Sequence, residues 1–287
     1  MDLLQFLIVP FAAGLILTGI HAYLGVHVVE RGVIFVDLSL AQIAALGTTV
    51  AYLAGHDLHD PVTYFWSLGF TIAGAAIFAL TRVHHETRIP QEAIIGIVYA
   101  VSAAAAILAM SKAPEGTEHL KDMLVGNILT VSWKTVITTA ILYAIVGAFH
   151  FAFRNKFLAI SLGQRIPNEK LWDFLFYVSF GFVVTSSVAI AGVLLVFSYL
   201  IVPAVAAMLF AQSIGKRLAI GWTMGAIVSA AGILASFQLD LPTGATIVCT
   251  FGVALALMAV ARLIRPPAGV DHREAERRRA GSGTPFA

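Results

Sequence analysis

The chain has 287 residues, 59% of them hydrophobic and 12% charged, with a net charge of +2, and its mean hydropathy is +0.88. That leaves too little polar surface to coat a soluble globule of this size, so the composition points to an all-α polytopic membrane protein. The single cysteine, Cys249, excludes both a disulfide framework and a cysteine-based metal site within one chain.

A helix needs about 20 apolar residues to cross the hydrocarbon. Reading between the charge clusters gives nine expected spans, over 5–26, 33–54, 63–81, 92–111, 135–153, 173–190, 192–212, 218–237 and 243–263. The sixth and seventh share a short polar break at Thr185-Ser186-Ser187, so a broken helix or a re-entrant segment, with a total of eight, is the alternative. The first segment lacks a basic start and a small-residue cleavage site, and it reads as a span rather than a removable signal.

Positive charge near span ends fixes orientation. With the amino terminus outside and nine spans, Arg31, Arg82, Arg88, Arg154, Lys156, Arg165, Lys170, Lys216 and Arg217 fall inside, and only Lys112, Lys121 and Lys134 fall outside. The expectation is a multi-pass protein of the cell membrane with a cytosolic carboxy terminus. The spans and their connections make one transmembrane domain over 1–265, and "PPAGVDHREAERRRAGSGTPFA" (266–287) reads as a disordered cytosolic tail.

In chain order, the first chemistry-bearing stretch is "FVDLSLAQIAALG", which sets Asp37, Ser39 and Gln42 in the second span. A carboxylate there costs a few kcal/mol on insertion scales. Two readings account for it: Asp37 lines an ion pathway, or it sits near the inner interface and pairs with Arg31. Five positions separate Asp37 from Gln42, about 140° around a helix, so the two converge only if the helix breaks or bulges.

The outer loop "HDLHD" places His56 and His59 beside two acids, and imidazole is the commonest ligand for zinc-like ions. It is either an ion clasp or an ordinary polar loop. Glu118 and His119 in "EGTEHLKD" lie on the same side as further outer-mouth candidates. His21 reads as a residue bonded to a neighbouring helix, and His27, near Glu30, as interfacial. The 153–173 segment is the longest internal connection, and a long loop among short ones is more often functional. Pro203 is expected to kink the seventh span, as a gate hinge or as static packing. There is no phosphate-binding loop, since "SIGKR" lacks its upstream glycine, and no G-x-S-x-G, no intramembrane HExxH and no basic-aromatic face for nucleic acid.

Three ordered blocks, "RGVIFVDLSLAQIAALG", "EAIIGIVYAVSAAAAILAMSKAPEGTEHLKDMLVGNILTVSW" and "IAGVLLVFSYLIVPAVAAML", resemble the membrane permeases of zinc- and manganese-type ATP-binding-cassette importers, the ABC-3 family. The resemblance implies a type II importer-like permease and a homodimer in the lipid bilayer. It also implies a cytosolic ATPase subunit that carries the ATP and an extracytoplasmic protein that delivers a divalent metal. The chain itself would bind no cofactor and catalyse no covalent step, the metal being its cargo.

By the same resemblance the 154–172 loop carries a coupling helix that enters a cleft of the ATPase. Ala159, Ser161, Leu162 and Gly163 fit the start of that pattern, and the stretch after them is shortened by several residues. The family's second span places a histidine four residues after an acid. Asp37 matches the acid, and Gln42 stands one residue beyond the histidine position, which makes manganese, or a substrate outside the usual zinc and manganese pair, the more plausible cargo. The alternative is a cation transporter or channel without an ATPase, in which Asp37 is a proton-coupling group.

Overall fold

The computed structural model describes residues 3–57, 60–82, 89–111, 126 and 128–264, with side chains from residue 7 onward. The tail, His59, Glu118 and His119 lie outside the described residues. Within them the long elements are α1 (Leu3–Arg31), α2 (Val36–Leu53), α3 (Pro61–Leu80), α4 (Gln91–Met110), α5 (Trp133–Ala152), the short α6 (Arg154–Ser161), α7 (Glu169–Phe210), α8 (Ile214–Leu239) and α9 (Thr243–Ile264). One 3₁₀ turn, Ile128–Thr130, precedes α5.

Local chemistry sets the ends. Asp60 caps α3 by accepting from the Val62 N–H at 3.0 Å, with Pro61 at the first helical position, where its missing N–H costs nothing. Ser132 caps α5 through the Thr135 N–H at 3.2 Å. Gly163, at φ 72°, stops α6.

Among the described residues eight helices are long and apolar enough to cross a membrane. One of them, α7, has 42 residues and a single non-helical position, Gly192, at φ 74° and ψ 161°. The chain folds back there. Ser187 Oγ lies 3.1 Å from His21 Nε2, yet the Leu200 carbonyl presses on Gly25, only one turn further along α1. A straight helix would carry residue 200 about 20 Å beyond residue 187. Both ends of α7 therefore lie beside the carboxy-terminal end of α1: Asp173 bonds Arg31, and the Ala211 carbonyl accepts from Arg217, which also pairs with Glu30. The arms 169–191 and 193–210 measure about 34 and 27 Å at 1.5 Å per residue, each near a membrane's thickness.

The sixth and seventh expected spans are thus the two arms of one helix hairpin. Its break is at Gly192, beside the 190/192 junction of the expected spans and five residues beyond the polar triplet. Thr185, Ser186 and Ser187 all remain helical, with Ser186 and Ser187 returning their protons to the Val183 carbonyl at 2.9 and 2.5 Å. Gly192 is buried and covered by Gly126, whose Cα sits so close that an added Cβ would stand 2.2 Å from the Ala191 carbonyl carbon.

α1 is the central post, packed against α7, α8, α5 and α6, while α2, α3 and α4 form a group leaning on α7. α4 and α9 are the least enclosed of the long helices, with 22% and 11% of their apolar windows buried. Their outer faces, with Ile97, Val101 and Leu108 on one and Val253, Leu257 and Leu263 on the other, are suited to lipid or a partner chain.

Candidate functional site

The α1–α2 turn builds the first part of the site. Gly32 adopts φ 66°, a conformation that costs glycine little, and the chain reverses within four residues. The Phe35 N–H donates to Glu92 Oε1 of α4 at 2.9 Å, and Asp37 falls in the first turn of α2, where the helix dipole favours a negative charge. Asp37 is wholly buried, and neither of its carboxylate oxygens has a hydrogen-bond partner among the described residues. Ser39 Oγ is likewise buried and unpartnered.

The pairing reading for Asp37 fails, because Arg31 turns the other way and bonds Asp173 at 2.9 Å. Convergence of Asp37 with Gln42 fails too: α2 is an uninterrupted α-helix. Gln42 lies about 140° from Asp37 around the axis, whereas Ser39 and Gln42, three apart, lie within about 60° of each other. The three expected path residues therefore occupy two faces, with Asp37 alone on one and Ser39 and Gln42 together on the other.

The second part of the site is a polar column along α1. His21 Nδ1 donates to the Leu17 carbonyl at 2.8 Å, and Tyr143 of α5 reaches Ser187 at 2.5 Å beside it. Tyr23 OH meets His150 Nδ1 at 3.2 Å, and His150 Nε2 meets Ser179 at 2.7 Å. At the carboxy-terminal end of α1, His27 Nδ1 and Arg31 Nε converge on Ser161 Oγ at 2.8 and 2.9 Å. The Arg31 guanidinium lies 3.7 Å over the Phe176 ring. Arg82 bonds the other oxygen of Asp173 and also Glu169, at 3.1 Å.

Sequence reasoning missed most of this column, because its partners stand on different helices, Arg31 and Asp173 being 142 positions apart. Two signals were present: His21, which does bond a neighbouring helix through Ser187, and His150, an imidazole inside an otherwise apolar span.

Of the four expected coupling residues, Ala159 is half-buried, Ser161 is buried, and Leu162 and Gly163 project at an exposed turn. In the "HDLHD" loop His56 is half-buried, its backbone N–H bonded to the Ala51 carbonyl at 3.1 Å, while Asp60 serves as the cap of α3. Pro203 is buried within the second arm of α7 and keeps helical angles. It packs near Gly221 of α8, and the bend of the hairpin is 11 residues away at Gly192. Among the described residues no three His, Cys, Asp or Glu side chains gather into a metal-holding group.

Known proteins share this architecture. The chain is 26% identical over 256 residues to the manganese transport system membrane protein MntC of Listeria monocytogenes, covering 88% of each. It is 29% identical over 208 residues to the chelated iron transport system membrane protein YfeC of Yersinia pestis, covering 67% of this chain and 69% of that one. Among solved structures, PsaBC from Streptococcus pneumoniae in complex with Fab shares the fold with a TM-score of 0.71 at 21% identity, over 89% of this chain and 92% of that chain. A metal-chelate type ABC transporter in an inward-facing conformation matches with a TM-score of 0.67 at 17% identity, over 88% and 85%. The family profile described as the ABC 3 transport family matches residues 3–262, and the chain is a membrane-embedded member of that family.

Proposed function

We propose that this chain is the permease subunit of an ATP-binding-cassette importer that carries a divalent transition metal ion, manganese or zinc, across the cell membrane. Asp37 is the observation that carries the reading. A carboxylate with no partner, withdrawn from water, is among the most expensive groups a protein can hold, and a passing cation supplies the charge it lacks. A path must bind its ion weakly enough to release it, and one carboxylate on one face, with Ser39 and Gln42 on another, makes a sparse ligand set of that kind. Oxygen donors suit manganese better than zinc.

The remaining parts follow the family. The amino terminus faces outside, where a metal-binding protein delivers the ion and His56, His59, Glu118 and His119 stand as outer-mouth candidates. Two copies of the chain assemble, and the exposed turn of Leu162 and Gly163 meets the ATPase subunit, with Ala159 and Ser161 in the helix behind it. Pro203 stiffens the arm that packs on α1 and α8.

The test is ATP-dependent uptake into vesicles by the permease co-purified with its ATPase and binding protein, across manganese, zinc, iron, cobalt and nickel. Uptake of one of these, abolished by Asp37→Ala in an assembled complex, is the expected result. A complex that assembles and hydrolyses ATP but moves none of them overturns the metal assignment.

A further inference from the structure

The short helix α6 is fastened to the membrane domain at two points of different chemistry. Phe157, fully buried, stacks on His150 at 4.3 Å and 13° and meets Trp172 and Phe176 edge-on or tilted at 5.8 and 6.1 Å. That contact is apolar and non-directional, so it tolerates sliding. The second point is directional. Ser161, the last residue of α6, is 4% exposed, and its hydroxyl lies between two side chains of α1. Arg31 Nε donates to it at 2.9 Å. His27 Nδ1 meets the same oxygen from the other side at 2.8 Å, and the hydroxyl can serve both neighbours because it carries two acceptor lone pairs and one proton.

Arg31 continues the connection. It bonds Asp173 at the start of α7, and both side chains are nearly free of water contact, at 4% and 0% exposure. A displacement of α6 along its axis is therefore felt at once by the central helix and by the foot of the hairpin. The apolar anchor at Phe157 cannot transmit that direction, whereas hydrogen bonds to a charged group can, because they weaken steeply with angle and distance.

We propose that Ser161 Oγ is the pin through which α6 drives α1: a positioning residue that converts movement of the coupling helix into movement of the membrane helices. The inference rests on the reading that α6 receives the ATPase.

Two measurements test it. In the reconstituted complex of permease, ATPase and binding protein, the metal ions carried per ATP hydrolysed should fall about tenfold in Ser161→Ala, the scale of one lost hydrogen bond to a charged group, while assembly and ATP hydrolysis persist. Thr223→Ala, which removes an exposed hydroxyl of α8 bonded only to its own helix, should leave the ratio unchanged. In the permease alone, amide hydrogen exchange across Arg154–Gly163 should speed up about tenfold in Ser161→Ala.

A wild-type complex without ATP-dependent uptake overturns the functional reading, and the inference with it. A coupled wild type with an unchanged ratio in Ser161→Ala overturns the inference alone, as does loss of assembly or ATPase activity in that variant. Unchanged exchange across α6 overturns it independently of any transport assay.

Discussion

Arg31 Nη1 and Asp173 Oδ1 meet at 2.9 Å across 142 positions of sequence, almost wholly withdrawn from water. The aspartate also takes Arg82 on its second oxygen. It is the shared acceptor that lets two guanidinium groups sit at one helix junction.

Removing that acceptor takes the carboxylate from Arg31 and leaves Arg82 with Glu169 alone. Asp173→Ala should destabilise the permease by about 3–5 kcal/mol, the cost of breaking a buried pair by deleting one partner. Thermal unfolding of the detergent-purified chain checks this. The double variant Arg31→Met with Asp173→Leu should recover part of the loss, because apolar groups of similar size need no counter-charge.

Asp37 should behave in the opposite way. Its carboxylate lacks a partner, so Asp37→Ala relieves a desolvation cost of about 1–3 kcal/mol and should raise the unfolding temperature while abolishing metal uptake. A fall in stability together with retained uptake would make Asp37 a structural residue.

Asp37 and Gln42 face different directions on an unbroken α2, so their contributions should be independent. In a double-mutant cycle on thermal stability with the metal ion present, the effects of Asp37→Ala and Gln42→Ala should add within about 0.5 kcal/mol. A larger coupling would mean that the two residues meet through a bound ion or across two copies of the chain.

The hairpin bend depends on two glycines. Gly192→Ala should cost about 1–3 kcal/mol, since φ 74° with ψ 161° is a region alanine avoids. Gly126→Ala should cost at least as much, because its Cβ would enter the Ala191–Gly192 peptide. Gly147→Ala, with nothing within 4 Å of the new methyl, should be neutral or slightly stabilising. Thermal unfolding of the three variants separates these outcomes.

The long helices were legible because apolar runs of membrane length have few alternatives. So was the junction of the two arms, which the span bounds set between 190 and 192, but the hydroxyl triplet did not mark it. Hydroxyls look like a break in sequence, yet a helix absorbs them by i−4 bonding, as at Ser187. Gly192 bends the chain from inside "IAGVLL", which has no polar residue to mark the turn. The acid at 37 was legible as an anomaly, and its lack of an Arg31 partner was not, because the direction of the arginine is set by Asp173 in another helix. Ser161 could be placed in the coupling segment from its pattern, but its two partners on α1 are 130 and 134 positions away, and only packing brings them together.

The bend at Gly192 also bears on how the protein is made. Its tip is Ala191-Gly192-Val193, all buried, with no charged or hydrated loop between the arms. Nothing hydrophilic has to be carried across the bilayer during synthesis, so the two arms can leave the insertion machinery together as a preformed wedge. Gly126 emerges before them, ready to cover the tip as it arrives.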